Sequence, residues 1–506
     1  MISKSNWHRN LFSLLGGASV TFAFAPFNLW PITVLALAFA IRQVALVTGN
    51  GWWTAYSFGF GLFAAGISWV HVSIADFGGM PLPASLALMA LLSCYLALFP
   101  ALALYLCKRY FSFAVWPLVL PLLWFISEWL RSWLLTGFPW LSIGYSQLAS
   151  PLSGWLPVVG ETGVTALVVM LAALLAQLHS RRTALSVALM TTIMFVSGLV
   201  LNTVPWAQRT QAYHIAMVQG NIAQSLRWAP EQDRPTMDKY LNLTEPLWQN
   251  DLIIWPEAAV PKLESLAGSY LYHIDQRAAN NNTALITGIV DYDFERDEAW
   301  NNLIVLGQRQ TDQKHIPYRY QHSNRYAKHH LLPVGEFVPF EDLLRPLAPL
   351  FDLPMSSFSR GNFEQANLLA NGIKLAPALC FEIAFPRQIS ANLNTDTDMI
   401  ITVSNDAWFG DSHGPAQHMQ IAQVRAKEFA KPVLRATNNG ITAFVDEHGD
   451  IITQLPQFES GSISAQVWAT RGFTPYARFG DMLPFTLLLL LVALNYKKIA
   501  ISHLKK

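Results

Sequence analysis

Charge is what this chain has least of. Only 13% of its 506 residues are Asp, Glu, Lys or Arg, while 52% are hydrophobic. A soluble domain carries about 25% charged residues, so composition excludes a protein that is water-soluble along its whole length. An excess of either sign is missing too: 34 basic and 33 acidic residues leave a net charge of +1, with no basic run beyond short clusters. That excludes the electrostatic footprint of a nucleic-acid binder. Cysteine is scarce, three in all, too few for a disulfide framework. Zinc-ligand spacing is lacking as well: His322, His329, His330, His413 and His418 fit no usual motif, and no metal or cofactor is expected. An internal repeat of the kind that builds many transporters is also absent.

What the chain has is apolar runs, each near the twenty residues a bilayer core requires. Spans are predicted at about 10–25, 29–47, 53–73, 82–106, 111–130, 158–179 and 184–201, with an eighth at about 483–500 around "PFTLLLLLVAL". The 18 Trp and 30 Phe suit rings placed at headgroup level. Lys and Arg favour short cytoplasmic loops. Lys4 and Arg9, Arg42, Lys108 and Arg109, Arg181 and Arg182, and Lys497, Lys498, Lys505 and Lys506 mark alternate loops and both ends. Eight spans with both termini cytoplasmic satisfy every cluster; Arg131 is the outlier, and Glu128, three residues before it, is placed to pair with it. The first run could instead be a cleaved signal peptide, though a second span follows within a few residues. The division predicted is a membrane domain at 1–201, an extracytoplasmic domain at 202–480, and an eighth span with a cytoplasmic tail at 481–506.

Residues 202–480 are mixed in polarity. Strands are predicted at "HIAMVQGN", "TALITGIV", "MIITVSNDAW" and "ITAFVDEHG", and helices at "TMDKYLNLTEPLWQ", "SYLYHIDQRAANN" and "HGPAQHMQIAQVRAKEFA". Alternating elements imply an α/β layered domain. Three further strand-like stretches end in reactive side chains: "DLIIWPEAAV" stops at Pro256 and leaves Glu257, "RYAKHHLLPVGEFVPF" carries Lys328 and Glu336, and "IKLAPALCFEIAFP" brings out Cys380 with Glu382 two residues on. Cys380 has no disulfide partner in this segment. A lone cysteine is commonly a small buried hydrophobe, a lysine commonly a surface residue, and a glutamate after Trp-Pro commonly a solvated loop residue. Together they make chemical sense. A thiol near pKa 8.5 attacks a carbonyl only after losing its proton, which a carboxylate can take, and a fixed ammonium stabilises the developing oxyanion.

"WPEAA", "RYAKHHLLPVGEFVP" and "ALCFEIAFP" resemble the three signature segments of the nitrilase superfamily. With the eight spans, "GFPWLSIGYSQ", "VQGNIAQSLRW", "VSNDAWFGDSHGPAQHMQIAQVRA" and "TPYARFGD", the whole chain resembles the apolipoprotein N-acyltransferases, the membrane-embedded branch of that superfamily. The resemblance implies an αββα sandwich outside the membrane and a triad with Cys380 as nucleophile, Glu257 as general base and Lys328 as oxyanion stabiliser. It assigns supporting roles to Glu336 and Glu382, the latter either bonded to the lysine or in a structural ion pair. Trp228, Phe381 and Trp140 fall at substrate-binding positions; Phe381 stands where many members have Tyr, which puts any hydroxyl-dependent role in doubt.

The activity implied is ping-pong acyl transfer. A phospholipid in the bacterial inner membrane gives its sn-1 acyl chain to Cys380 as a thioester, and the α-amino group of a diacylglyceryl apolipoprotein takes it. A monomer with a periplasmic catalytic domain is expected. An apolar rim is expected from Trp228, the "GFPW" stretch and "FVPFEDLLRPLAPLF". Two competing readings stay open on the residues alone: a membrane-anchored amidase hydrolysing a C–N bond, and a lipid transporter or receptor without enzymatic activity.

Overall fold

The apolar runs fold as helices of unequal length. The computed structural model describes residues 4–226, 229–310, 315–333, 335–337 and 358–504. The chain divides into two units: one takes in the chain up to Val72, Pro81–Pro205 and the chain from Pro475; the other holds Ser73–Met80 and Trp206–Thr474.

In the first unit, among the described residues, four helices are long and apolar enough to cross a bilayer: Leu82–Tyr110, Phe113–Arg131, Pro151–Ala176 and Arg181–Asn202. The run expected as one span at 53–73 is a pair, Trp52–Gly66 and Val70–Asp76, bent by 59°. Pro31–Leu46 and Met482–Leu494 are apolar but shorter, about 24 and 20 Å at the helical rise against a core of about 30 Å. The helix Lys4–Ser19 runs on into a tighter turn, Val20–Ala23. Hydropathy measures apolar content and not where a hydrogen-bond ladder stops; Pro31 in the first turn, for one, sets where its helix begins.

Small residues let these helices close on each other. A Cβ on Gly17 would sit 2.0 Å from the Phe58 carbonyl oxygen, and one on Gly61 2.0 Å from that of Leu14, so Lys4–Ser19 and Trp52–Gly66 meet backbone to backbone. Glu128 and Arg131 do pair. Arg131 also donates to the carbonyls of Phe138 and Trp140, and Trp124 Nε1 donates to Glu128 Oε1 at 3.2 Å. The outlying charge is thus fully bonded and latches the "GFPW" stretch.

The second unit is a sandwich. Among its described residues, β1 (Gln208–Gln219), β2 (Leu252–Ile254), β3 (Ala284–Asp293), β4 (Glu298–Gly307) and β5 (Arg325–Ala327) form one sheet with β12 (Gly461–Arg471), in the order β12-β1-β2-β3-β4-β5. β6 (Leu368–Ala370), β7 (Ile373–Leu379), β8 (Met399–Ser404), β9 (Val433–Thr437), β10 (Thr442–Val445) and β11 (Ile451–Leu455) form the other, in the order β11-β10-β9-β8-β7-β6. β1, β2 and β3 run parallel, as do β7, β8 and β9, with helical crossovers between them.

Alternation along the strands decides what each face meets. Ile215 and Met217 of β1 and Leu252 and Ile254 of β2 turn inward against Leu375, Leu379, Ile401 and Val403 of the other sheet. Ala216, Val218 and Ile253 turn outward to Tyr240, Leu271 and Ile274 on the helices Asp233–Thr244 and Gly268–Asn280. The helix Gly414–Phe429 packs against β9 and β10 of the second sheet. This is the nitrilase-like α/β arrangement. Its consequence is that β2, β7 and β8 end in loops that can share one site.

Candidate active site

β2 is stopped by its own sequence. Ile254 is followed by Trp255 and Pro256; proline has no N–H to continue a ladder, and the chain turns through Ala258 at φ +46°. Gly288 of β3 makes room for that turn, since a Cβ there would lie 2.5 Å from the Ala258 nitrogen and 2.7 Å from Glu257 Cα. Glu257, just past the strand, is buried. Its Oε1 accepts from Asn301 Nδ2 (2.7 Å) and faces Lys328 Nζ (3.5 Å), while its Oε2 accepts from the Asn405 N–H (3.0 Å).

Lys328 follows the edge strand β5 and prolongs its pairing with β4, donating its N–H to the Asn301 carbonyl at 2.9 Å. Its ammonium is buried and lies 2.8 Å from Glu336 Oε1. Asn301 Nδ2 has two hydrogens and reaches both carboxylates, at 2.7 Å to Glu257 and 3.1 Å to Glu336. Glu336 Oε2 accepts from the Leu332 N–H (2.8 Å), which folds the loop back on itself. Burial works against the ammonium, but Glu336 and then Glu257 outweigh it and hold Lys328 above the ordinary lysine range. The amine stays charged.

β7 delivers Cys380 in the left-handed region, at φ +50°, a conformation that costs a non-glycine residue of order 1–3 kcal/mol. A short helical turn, Cys380–Ala384, begins at that residue. Glu382 beneath the turn holds it. Its Oε2 accepts from the Leu379 N–H (2.7 Å) and the Tyr326 hydroxyl (3.0 Å); its Oε1 accepts from the N–H groups of His329 (2.8 Å) and His330 (2.9 Å) and from Gln388 Nε2 (2.8 Å). Of the two readings from sequence, the bond to the lysine amine is replaced by bonds to the backbone on either side of the site. A carboxylate accepts about four hydrogen bonds, so this one is saturated and ties the cysteine turn to the lysine loop. Burial raises its pKa while the N–H groups of His330 and Leu379 pull the other way.

The Cys380 thiol is pushed up to about 12 by burial, then by the negative charge of Glu257, with Lys328 pulling it back. At neutral pH it is an undissociated thiol. The structure therefore brings Cys380, Glu257, Lys328, Glu336 and Glu382 into one cluster, in which Glu257, Lys328 and Glu382 are buried and Cys380 and Glu336 half-buried. Phe381 is buried, its ring edge-on to Phe385 with centroids 5.0 Å apart. Trp140 belongs to the first unit, where it is buried and tilted against Trp69 at 5.4 Å. Trp228 and most of the "FVPFEDLLRPLAPLF" stretch, from residue 338 on, lie outside the described residues.

The sequence reading passed over Asn301, which bridges the two carboxylates, and a fully buried group behind the cysteine. Ser404 Oγ is 3.3 Å from Cys380 Sγ and bonds Asp406. Asp406 Oδ2 accepts from Arg435 Nη2 at 2.6 Å, and His418 Nε2 lies 3.1 Å from the Cys380 carbonyl oxygen. A signal was available in "VSNDAW", where polar residues close an apolar strand as Pro-Glu closes "LIIW".

Residues 16–174 match the family model described as the apolipoprotein N-acyltransferase N-terminal domain, and residues 214–475 match the carbon-nitrogen hydrolase model. The chain is 47% identical over 481 residues to the apolipoprotein N-acyltransferase of Shewanella oneidensis, covering 94% of this chain and 92% of the relative. Its identity to that of Vibrio parahaemolyticus is 46% over 478 residues, covering 93% and 94%. With that of Haemophilus influenzae it is 37% over 498 residues, covering 96% and 94%.

Proposed function

The chain belongs to the apolipoprotein N-acyltransferases, and from that premise we propose that Cys380, Glu257 and Lys328 perform its acyl transfer in two half-reactions. The activity is N-acylation of lipoproteins, with a lipid acyl donor and a lipoprotein acceptor. In the first half, Glu257 takes the Cys380 proton as the sulfur attacks the sn-1 ester carbonyl of a phospholipid. Lys328, with a backbone N–H near the nucleophile, balances the oxyanion. Collapse expels the lysophospholipid, Glu257 returns the proton to its leaving oxygen, and a thioester remains. In the second half, the α-amino group of a diacylglyceryl-cysteine, with a pKa near 7.7–8.0 in model peptides, attacks the thioester. The amide forms, and the proton the amine loses returns through Glu257 to the sulfur.

The observation that supports this reading is the state of the two charges: the thiol is held neutral while Glu336 and Glu257 keep the amine cationic. A base next to the sulfur and a permanent cation beside it are what a neutral thiol needs to attack an ester. Glu336 and Glu382 act as supports, one to the ammonium and one to both backbones. The apolar helices of the first unit suit donors whose chains stay in a leaflet, since moving a chain into water costs about 0.8 kcal/mol per methylene. Eight crossings and an extracytoplasmic second unit complete the proposal.

The test is mass spectrometry of a lipoprotein N-terminal peptide after incubation with purified enzyme and a phospholipid carrying a labelled sn-1 chain. The expected result is a labelled amide, preceded without acceptor by a hydroxylamine-labile adduct on Cys380. An adduct of equal lability in Cys380→Ser, or free fatty acid in place of the amide, would overturn the mechanism.

A further inference from the structure

We propose that the Ser404 hydroxyl changes partners during the reaction, donating to Asp406 while the Cys380 thiol is protonated and turning to donate to the sulfur once that proton has gone to Glu257. The inference rests on the reading of Cys380 as the nucleophile.

A hydroxyl has one hydrogen to donate and two lone pairs, and Ser404 Oγ has two neighbours, Asp406 Oδ1 and Cys380 Sγ, the latter at 3.3 Å. It cannot donate to both. Asp406 is fully buried; desolvation alone would raise its pKa, but Arg435, bonded at 2.6 Å, reverses that and keeps it ionised. A carboxylate is a far better acceptor than a neutral thiol, so at rest the hydrogen points to Asp406 and a lone pair of Ser404 faces the S–H. Once the sulfur is anionic, two anions compete for one hydrogen. Asp406 still has Arg435, whereas the sulfur, on a half-buried residue, has little water to turn to. Turning the hydroxyl gives the thiolate a donor without moving a heavy atom. The S–H bond breaks, an O–H bond forms on Glu257, and the Ser404 O–H bond only rotates.

The surrounding hydrogen bonds fit the same accounting. His418 Nε2 lies 3.1 Å from the Cys380 carbonyl and its Nδ1 3.1 Å from Arg435 Nη2. A neutral ring that donates from Nε2 and accepts at Nδ1 satisfies both contacts; Nδ1 also lies 3.2 Å from Asp406 Oδ1, and Arg435 Nη2, which bonds both His418 and Asp406, stands between the two acceptors. Burial together with Arg435 favours that neutral form. His418 is then a positioning residue that holds the left-handed cysteine by its carbonyl. Ser404, Asp406, His418 and Arg435 are all buried, in a unit whose site needs no polar group there for solubility.

The experiment uses the full-length enzyme in nanodiscs. Iodoacetamide alkylation of Cys380 is followed against pH in a background with Cys94 and Cys107 replaced by Ser, alongside thioester formation from a labelled phospholipid. The charged groups that face the sulfur, Glu257 and Lys328 from one sheet and Asp406 from the other with Arg435 and His418 behind it, are left intact. A hydrogen bond to a charged group sets the expected size: Ser404→Ala raises the alkylation midpoint by about one to two pH units and slows thioester formation about ten- to a hundredfold, with KM for the phospholipid unchanged. Ser404→Thr, which keeps the hydroxyl, restores most of both. An unshifted midpoint in Ser404→Ala, or equal losses in the Ala and Thr variants at equal melting temperature, would overturn the proposal. A second measurement needs no folded variant at position 404: the S–H stretch of Cys380 by Raman spectroscopy, assigned by its loss in Cys380→Ala. It is expected displaced to low frequency, and the position of a free thiol counts against Ser404 as acceptor. The alkylation profile needs no acyl donor. A shifted midpoint in an enzyme that forms no thioester therefore defeats the acyl-transfer reading and leaves the hydrogen bond standing.

Discussion

Glu257 has two opposed effects on the thiol beside it. Its charge is the second cause, after burial, of the raised Cys380 pKa, and Lys328 counters it. Yet Glu257 is also the base proposed for that neutral thiol. Replacing it should separate the two effects. In Glu257→Gln the negative charge is gone, the thiolate is favoured, and the midpoint of Cys380 alkylation falls below about 12 toward the ordinary thiol range, while acyl transfer from phospholipid drops by about 10²–10⁴ for want of a proton acceptor. A variant more reactive to iodoacetamide and nearly inert to its substrate is the expected outcome; a midpoint that rises would remove Glu257 from the vicinity of the sulfur. The sign for stability follows as well. A thiol whose folded pKa is raised from 9.0 to about 12 adds stability that is fully present below pH 9 and is lost as the pH climbs toward 12. At this scale Glu257 and Cys380 were legible because each stands where an apolar strand ends, and Lys328 because it precedes an apolar turn. Asn301, Ser404, Asp406, His418 and Arg435 were not. They come from separate segments, are ordinary residue types, and meet only because the sheets bring β4, β8, β9 and the helix Gly414–Phe429 around one point.

Among the elements, the parallel strands and their crossover helices were readable in outline. The helix Gly268–Asn280 and the strand Met399–Ser404 stand nearly where the pattern puts them. β4 was passed over although every residue from Asn301 to Gly307 is buried, because its polar opening "EAWNN" hides the apolar run behind it. β12 alternates, with Val467 and Ala469 turned to the core and Trp468 outward, yet lies far in sequence from β1, its partner. Neither the bend after Gly66 nor the close of the helix at Leu46 has a signature in hydropathy. The element that holds Glu257 in place is β3, through the missing side chain at Gly288. In Gly288→Ala the added methyl meets backbone rather than the flexible end of a side chain, the Ala258 nitrogen at 2.5 Å and Glu257 Cα at 2.7 Å, so the turn carrying the base must move. Overpacking of this kind costs about 1–3 kcal/mol. Thermal unfolding should show that loss and a thioester assay a deeper one, tenfold or more, since the base is displaced along with the backbone. Wild-type turnover in a destabilised Gly288→Ala would mean that the turn adapts without moving the carboxylate.

For the molecule as a whole, the positive residues of the first unit gather at one end of its helices. Arg9 bonds Gln43 at 2.7 Å, Arg42 donates to the Ala176 carbonyl at 3.0 Å, and Lys108 donates to the carbonyls of Val44 (2.6 Å) and Val47 (2.7 Å). The helix Tyr496–Leu504, with Lys497 and Lys498, packs beside the turn Phe113–Val115 at that same end. Loops distant in sequence thus share one face, and Arg42 and Lys108 bond helix C-terminal carbonyls that favour a cation. Arg131, which fits no such cluster, is neutralised by Glu128. The chain leaves this unit after Asn202, a full helix away from Arg181. It returns at Pro475, where Tyr476 packs on Gly160 and Thr162 bonds Asp481, near the start of the helix that ends at Ala176. Positive charge resists translocation, so the end bearing Arg42, Lys108 and Arg181 should face the cytoplasm, and a segment that departs from the other end should lie outside. Single cysteines placed in a background with Cys94 and Cys107 replaced by Ser and Cys380 by Ala decide the matter. Ser460→Cys, on an exposed turn of the second unit, is expected to react with a membrane-impermeant maleimide once the outer membrane is opened, and Arg109→Cys only after the inner membrane is broken. Labelling of both only after the inner membrane is broken would require an even number of crossings between them, and the thioester chemistry would then have to take its acyl chain from the cytoplasmic leaflet.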